Sequence, residues 1–232
     1  MNRRNVLITG CNQGIGKEIF NFYKKKNYNV IGLGKRKKSL LSKNYYSIDL
    51  SNEKTVNQFC KKLNKMNIDI LINNAGINKI GNFHLIKKKD LKEIFQINFF
   101  APYQICQSVI PSMMKKKWGR IVNITSIFGS VTKELRSPYA SSKFALNGLT
   151  KTLSAEYSKF NILSNAVAPG VIKTQLTKKI LKNNIQNLVN KIPMGRLGTT
   201  NEIAEIVYWL GSEDNTFVTG QQVCVDGGYT IV

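Results

Sequence analysis

The chain has 232 residues, 42% of them hydrophobic and 21% charged, a composition that fits one large globular core better than two small ones, and it lacks an apolar run near the roughly 18 residues a membrane helix needs. Its formal charge of +22 comes from 35 Lys+Arg against 13 Asp+Glu. Only Arg3, Arg4, Arg36, Arg120, Arg136 and Arg196 are arginines, and the lysine runs at 35–38, 87–89 and 115–117 are short, separate and not interleaved with aromatics, so neither nucleic acid nor a membrane is an expected partner.

The chain opens on Met1-Asn2-Arg3-Arg4, and the apolar stretch behind it, Val6 to Ile8, is too short for a secretory signal; a cytoplasmic protein is expected. Asn5 to Thr9 reads as a strand ended by a glycine turn, and Ile15 to Lys26 carries Ile15, Ile19, Phe22 and Tyr23 at helical spacing. Further strands are expected at Asn29 to Leu33, Tyr45 to Ile48, Ile68 to Ile72, Arg120 to Thr125, Ile162 to Val167 and Gln222 to Val225. Helices are expected at Glu53 to Leu63, Lys88 to Met114, Pro138 to Tyr157, Thr177 to Lys191 and Asn201 to Leu210. Strands this apolar, alternating with helices, belong to a parallel sheet covered on both faces. No repeat or linker marks a boundary, so residues 1–232 are expected to form a single doubly wound α/β domain of the Rossmann type, with seven parallel strands and a cofactor at their carboxyl ends.

The four cysteines are scattered without a C-x-x-C pair, and the only histidine, His84, has no G-x-S-x-G nucleophile to serve, which argues against a zinc site or a serine triad. Other residues carry the chemistry. Thr9-Gly10-Cys11-Asn12-Gln13-Gly14-Ile15-Gly16 puts three glycines between the first strand and the first helix, where backbone N–H groups can approach a pyrophosphate. Asn73-Asn74-Ala75-Gly76 follows the fourth strand, Ser126 ends the fifth, and Tyr139-Ala140-Ser141-Ser142-Lys143 opens a later helix.

In this order and spacing, these motifs resemble the short-chain dehydrogenase/reductase family, whose signatures are T-G-x-x-x-G-x-G, N-N-A-G, an upstream Ser and Y-x-x-x-K. Pro169-Gly170, Gly220-Gln221 and Asp226-Gly227-Gly228 extend the likeness, which runs from about Arg3 to Tyr229. On the residues themselves, Ser137 reads as an N-cap with Pro138 at the first helical position, so Tyr139 and Lys143 fall one turn apart on one helix face. The lysine ammonium is expected to lower the phenol pKa, letting Tyr139 exchange a proton with a carbonyl oxygen while hydride moves to or from a nicotinamide. Ser126 would hydrogen-bond the same oxygen. The resemblance implies that Lys143 also holds the nicotinamide ribose and that Asn98 helps hold a water of the proton relay.

The resemblance further implies that the cofactor is met by Gly10, Asn12, Gly14, Ile15 and Gly16 at the turn, by Asp49 at adenine, by Asn74 and Gly76 along the cleft, and by Pro169, Gly170, Ile172 and Thr174 toward the carboxamide. The second strand ends in Gly34-Lys35-Arg36. A glycine stands where NAD-preferring folds carry an acid, and two cations follow it, so NADP(H) is favoured over NAD(H), with Lys35 and Arg36 meeting the extra phosphate. Against this, Gln13 stands where many NADP-using relatives have a basic residue. Relatives commonly form homotetramers, through segments that correspond here to Lys88 to Met114, Pro138 to Tyr157 and Gln221 to Val232. Apolar residues from Leu176 to Ile192 recur at helical spacing, as in a substrate lid or an ordinary packed helix.

The carboxyl-terminal third looks most like bacterial 3-oxoacyl-acyl-carrier-protein reductases, implying reduction of a 3-oxoacyl thioester and an acyl carrier protein as a possible partner, with Lys117 as its docking cation. The segment Ile77 to Leu85 differs from those reductases. A reductase of a sugar or other small ketone, such as one in surface-polysaccharide synthesis, is the enzymatic alternative, and a catalytically silent scaffold is the alternative of another class.

Overall fold

The computed structural model describes residues 3–37, 44–174, 177 and 185–232. Its seven strands are β1 (Asn5–Thr9), β2 (Asn29–Gly34), β3 (Tyr45–Ser47), β4 (Ile70–Asn73), β5 (Gly119–Ile124), β6 (Ile162–Pro169) and β7 (Gln222–Val225). They form one sheet in the order β3-β2-β1-β4-β5-β6-β7, with every neighbouring pair parallel. The expected seven-stranded doubly wound fold is therefore present.

The central strands are apolar on both sides because both sides are covered. Along β1, Leu7 enters one core while Val6 and Ile8 enter the other, as the two-residue period of a strand requires. The first core is closed by Val56, Phe59 and Leu63 of α2 (Glu53–Leu63), by Ile105 and Val109 of α4 (Ala101–Lys116), and by Leu146, Leu149 and Leu153 of α5 (Ser137–Tyr157). The second is closed by Ile19, Phe20 and Tyr23 of α1 (Gly14–Lys25) and by Ile203, Val207 and Leu210 of α7 (Thr200–Gly211). Thr199 and Glu202 form a reciprocal capping box that starts α7.

Two expected helices come out differently. The stretch read as one helix from Lys88 to Met114 is α3 (Lys88–Phe95), a π-helical turn at Gln96–Phe100, and then α4. The cause is Pro102: it has no N–H to offer the Asn98 carbonyl four residues back, and its ring crowds that carbonyl. The backbone widens instead, and the Ala101 N–H reaches the Gln96 carbonyl five residues back. Of the helix expected over Thr177 to Lys191, only α6 (Ile185–Val189) is described, while Leu176, Ile180 and Leu181 lie outside the described residues. The start of α5 also differs in detail. Ser137 is its first residue rather than its cap, with Arg136 at the N-cap making no side-chain cap bond.

The strand order reverses between β1 and β4, since the chain runs outward through β2 and β3 before returning beside β1. Loops leaving the carboxyl ends of those two strands diverge and leave a crevice, the place where a ligand of an open α/β sheet binds.

Candidate active site

The turn after β1 forms the floor of the crevice. Gly10 and Gly14 have positive φ, +68° and +54°, which the missing Cβ permits. At Gly16 a Cβ would lie 2.3 Å from the Asn74 amide nitrogen and 2.4 Å from the Gly10 carbonyl, so only glycine lets the helix start this close to the strand. At Gly14, by contrast, a Cβ would meet only the Thr174 methyl, at 3.7 Å. Gln13, the N-cap residue of α1, makes no side-chain cap bond, and no acid stands in the first helical turn. An open glycine face at an uncapped, unopposed helix N-terminus fits a pyrophosphate.

Asn74 does a different job from lining the cleft alone. Its amide donates to the Thr9 and Gly10 carbonyls at 2.9 and 3.2 Å, while the Thr9 hydroxyl accepts from the N–H groups of Asn74 and Ala75. The N-N-A-G segment is thereby tied to the glycine turn.

Gly76 opens the reacting end of the crevice. A Cβ there would stand 3.4 Å from both the Asn98 side-chain oxygen and the Lys143 ammonium. Asn98 is fully buried. Its Oδ1 accepts from the Ile77 N–H at 2.9 Å, and its Nδ2 donates to the Ile77 carbonyl and the Ser142 hydroxyl, each at 3.0 Å. Ser142 in turn donates to the Tyr139 carbonyl at 2.7 Å, linking the π-helical turn to the first turn of α5. The widened turn also frees the Asn98 main-chain carbonyl from the bond Pro102 cannot make. Ser142 and the π turn were not singled out from the sequence; the signals available were the second serine of Tyr139-Ala140-Ser141-Ser142-Lys143 and the proline of Asn98-Phe99-Phe100-Ala101-Pro102.

Lys143 is buried and donates to the Ile124 carbonyl at 2.8 Å, and burial brings its ammonium down to about 8. Its Nζ is 5.7 Å from the centre of the Tyr139 ring. The Ser126 hydroxyl accepts from the Phe128 N–H at 3.2 Å and lies near enough to the Tyr139 phenol to oppose a rise in its pKa. Here one expectation is corrected: burial raises the Tyr139 phenol above its ordinary value, and the opposing Ser126 hydroxyl and Arg136 charge do not offset it. At 5.7 Å, with its proton donated to Ile124, the Lys143 ammonium does not overcome that desolvation.

Along the far wall, Gly170 leaves β6 so close to β7 that a Cβ would lie 2.7 Å from the Asp226 backbone. Ile172 is buried in the second core and bridges to Gly198. The Thr174 N–H is engaged by Thr177 at 2.7 Å, and the Thr177 hydroxyl also donates to the Ile172 carbonyl. At the adenosine end, Lys35 pairs with Asp49 at 2.9 Å, and Asp49 accepts from Ser51. Arg36 reaches the Gln13 side chain at 3.4 Å.

A family model described as Enoyl-(Acyl carrier protein) reductase matches residues 10–230. The chain belongs to the short-chain dehydrogenase/reductase family. A 3-oxoacyl-[acyl-carrier-protein] reductase of Buchnera aphidicola subsp. Schizaphis graminum is 37% identical over 97% of each chain. Among solved structures, ElxO with NADP bound superposes with a TM-score of 0.92 at 33% identity over the full length of both chains. A 4-hydroxyisoleucine dehydrogenase complexed with NADH superposes at 0.93 and 30% identity, over 99% of this chain and 100% of that one. As a member of this family the chain is an NAD(P)-dependent oxidoreductase acting between a carbonyl and a secondary alcohol.

His84 lies exposed in a single 3-10 turn at Phe83–Leu85, as expected of a surface histidine. Lys117 is exposed at the C-cap of α4, just before β5 begins. Ser126 follows the other end of β5, so Lys117 and Ser126 lie at opposite ends of that strand. No helix among the described residues is long and apolar enough to cross a membrane.

Proposed function

We propose that residues 1–232 act as one catalytic domain that reduces a 3-oxoacyl thioester, delivered by an acyl carrier protein, with NADPH. The observation that carries the reaction class is that the Asn98 side chain and the Lys143 ammonium both stand beside Gly76, with the Tyr139 ring centred 5.7 Å from that ammonium and Ser126 just past the end of β5. The likeness to 3-oxoacyl-[acyl-carrier-protein] reductases over nearly the whole chain supports the substrate. So does an apolar rim. Ile80, Phe83, Leu85 and Leu135 are exposed on the loops that follow β4 and β5, and the Gly81 N–H ties the two loops together at the Leu135 carbonyl. A fatty acyl chain has use for such a rim, whereas a sugar calls for polar partners.

Bound in the crevice, the cofactor supplies the hydride. Gly10, Asn12, Gly14, Ile15 and Gly16 would hold its pyrophosphate, Lys35 and Arg36 its extra phosphate, and Asp49 its adenine. Asn74, Gly76, Pro169, Gly170, Ile172, Thr174 and Lys143 would hold the remainder. Ser126 orients the substrate carbonyl by hydrogen bonding its oxygen, and Tyr139 gives that oxygen a proton. A phenol held above its ordinary pKa is fully protonated at neutral pH, ready to donate in the reducing direction. Lys143 keeps positive charge near the phenolate that forms, and Asn98, whose main-chain carbonyl receives no bond from Pro102, holds a water that returns the proton.

A cytoplasmic homotetramer completes the reading. Phe100, Tyr103 and Phe144 are exposed on the π turn, α4 and α5, the segments through which relatives assemble, and apolar groups of this size suit a self-complementary contact. Light scattering at micromolar concentration should give a tetramer, and a monomer would refute this part. For the reaction, NADPH oxidation is followed with acetoacetyl thioesters, a 2-enoyl thioester and a panel of sugars and small ketones. Turnover of the 3-oxo thioester well above the others is expected, and preference for the enoyl thioester or a sugar would replace the assignment.

A further inference from the structure

The phenol of Tyr45 crosses from β3 to the glycine turn and joins three segments that are distant in sequence. Its Oη accepts from the Asn12 Nδ2 at 2.7 Å and donates to the Arg36 main-chain carbonyl at 2.9 Å. The register of the edge strand sets Tyr45 opposite Gly32, and the missing side chains on β2 let the ring lie over it. A Cβ at Gly32 would come within 3.3 Å of the ring. At Gly34 it would stand 2.6 Å from Asn12 Nδ2 and 3.0 Å from Tyr45 Oη. Gly34 is thus more than the loss of an acid, because any side chain there would break the Asn12–Tyr45–Arg36 connection. Both functions of the hydroxyl are used, one as acceptor and one as donor.

What this connection holds is the pair of cations at the end of β2. Lys35 is already engaged by Asp49. The Arg36 guanidinium is directed back to Gln13, so the basic pair ends beside the glycine turn even though that turn carries no cation of its own. We propose that Tyr45 is a positioning residue for cofactor selectivity: by anchoring the Arg36 main chain to Asn12 it presents Arg36 to the 2′-phosphate of NADP(H), and NAD(H), lacking that phosphate, gains nothing from it. The proposal rests on the NADPH reading above and names a residue outside the glycine and cation motifs.

The test is Tyr45→Phe, which keeps the ring and removes both hydrogen bonds, with dissociation constants for NADPH and NADH measured by nicotinamide fluorescence. One neutral hydrogen bond corresponds to about a three- to tenfold change in an equilibrium constant, so the NADPH constant should rise by that factor beyond any loss through Asn12 that NADH shares, while kcat at saturating NADPH stays within about twofold. Repeating Tyr45→Phe on an Arg36→Ala background should then weaken NADPH no more than NADH, since the residue that meets the extra phosphate is gone. Equal weakening of both cofactors, or an undiminished effect without Arg36, would overturn the positioning role. A wild-type protein that binds NADH as tightly as NADPH would instead overturn the NADPH reading. Should Tyr45→Phe fold poorly, Gly34→Ala, whose Cβ would crowd Asn12 Nδ2 and Tyr45 Oη, should narrow the NADPH-to-NADH preference in the same way; an unchanged preference in that folded variant would also count against the proposal.

Discussion

At the carbonyl end of the cleft, Lys143 and Asn98 are buried and each is fixed by partners on other elements, the Ile124 carbonyl for one and Ile77 with Ser142 for the other. At the adenosine end, Lys35 and Arg36 are exposed and are held by side chains as exposed or half-exposed as themselves. The difference fits the roles proposed for the two ends. Proton transfer needs groups in one geometry with little water between them, which burial and a closed hydrogen-bond network provide. Telling two cofactors apart needs charge at a surface, where a salt-screened pair contributes little to folding and can change without harm to the core.

Replacing Tyr139 by Phe tests the buried end most severely. The phenol is the only proposed proton donor, so kcat for carbonyl reduction should fall by about 10²- to 10⁴-fold. NADPH affinity, resting on the glycine turn and the cations, should stay within about twofold. Activity within about tenfold of wild type would remove the donor role from Tyr139, and a parallel loss of cofactor affinity would mean that the two ends are not separable.

The second prediction concerns pH. Burial lowers Lys143 to about 8, and the neighbouring phenol is raised. Above pH 8 the ammonium loses its proton and with it the charge that stabilises the forming phenolate, so kcat/KM for reduction should fall with rising pH, by about tenfold per unit once well past the pKa. Stability should move the other way. Free lysine titrates near 10.5, so between pH 8 and 10.5 the unfolded chain binds the extra proton and the native state gains with rising pH. A pH profile of kcat/KM alongside thermal melts separates the two. A falling limb that stays in place in Lys143→Arg would assign it to another group.

The polarity of these two ends was unequally legible in the sequence. The glycine turn, Ser126 and the Tyr139/Lys143 pair declare themselves because strand ends and helix starts place them with little help from the rest of the chain. The helical periodicity across Lys88 to Met114 concealed the π turn, since Pro102 acts on a carbonyl four residues away without disturbing the apolar pattern. The direction of the Tyr139 shift depends on how deeply the phenol is enclosed, which spacing alone does not express. The Asn12–Tyr45–Arg36 connection joins residues 12, 36 and 45 through a β2–β3 register that no local motif specifies.

At the adenosine end the expected effects are smaller. Lys35→Asp places a second carboxylate beside Asp49 and removes one of two cations near the 2′-phosphate. The ratio of kcat/KM for NADPH to that for NADH should shrink by about tenfold, a magnitude in keeping with one charge-assisted contact. An equal fall for both cofactors would mean that Lys35 serves only to hold Asp49.

The smallest effect is expected farthest from the chemistry. Lys117 is at the amino-terminal end of β5, which spans six residues, about 20 Å at a strand's rise. Lys159 is exposed nearby, on the 3-10 turn that ends α5. An acidic carrier steered there approaches the side of the protomer away from its own Tyr139, so the patch is useful chiefly if assembly along α4 and α5 brings it toward the cleft of a neighbouring copy. Rim charges act on the association rate and are screened by salt. Lys117→Glu should therefore lower kcat/KM on a carrier-bound substrate by about two- to fivefold at low ionic strength, lose that effect near half-molar salt, and leave a small free thioester untouched. Because the effect depends on a second copy, it should also vanish in a variant that light scattering shows to be monomeric yet still active. If the carrier-bound and free thioesters respond alike, or neither responds, docking at this end of the sheet is excluded, and Lys117 is left as a solvated residue beside Lys116, which pairs with Asp69.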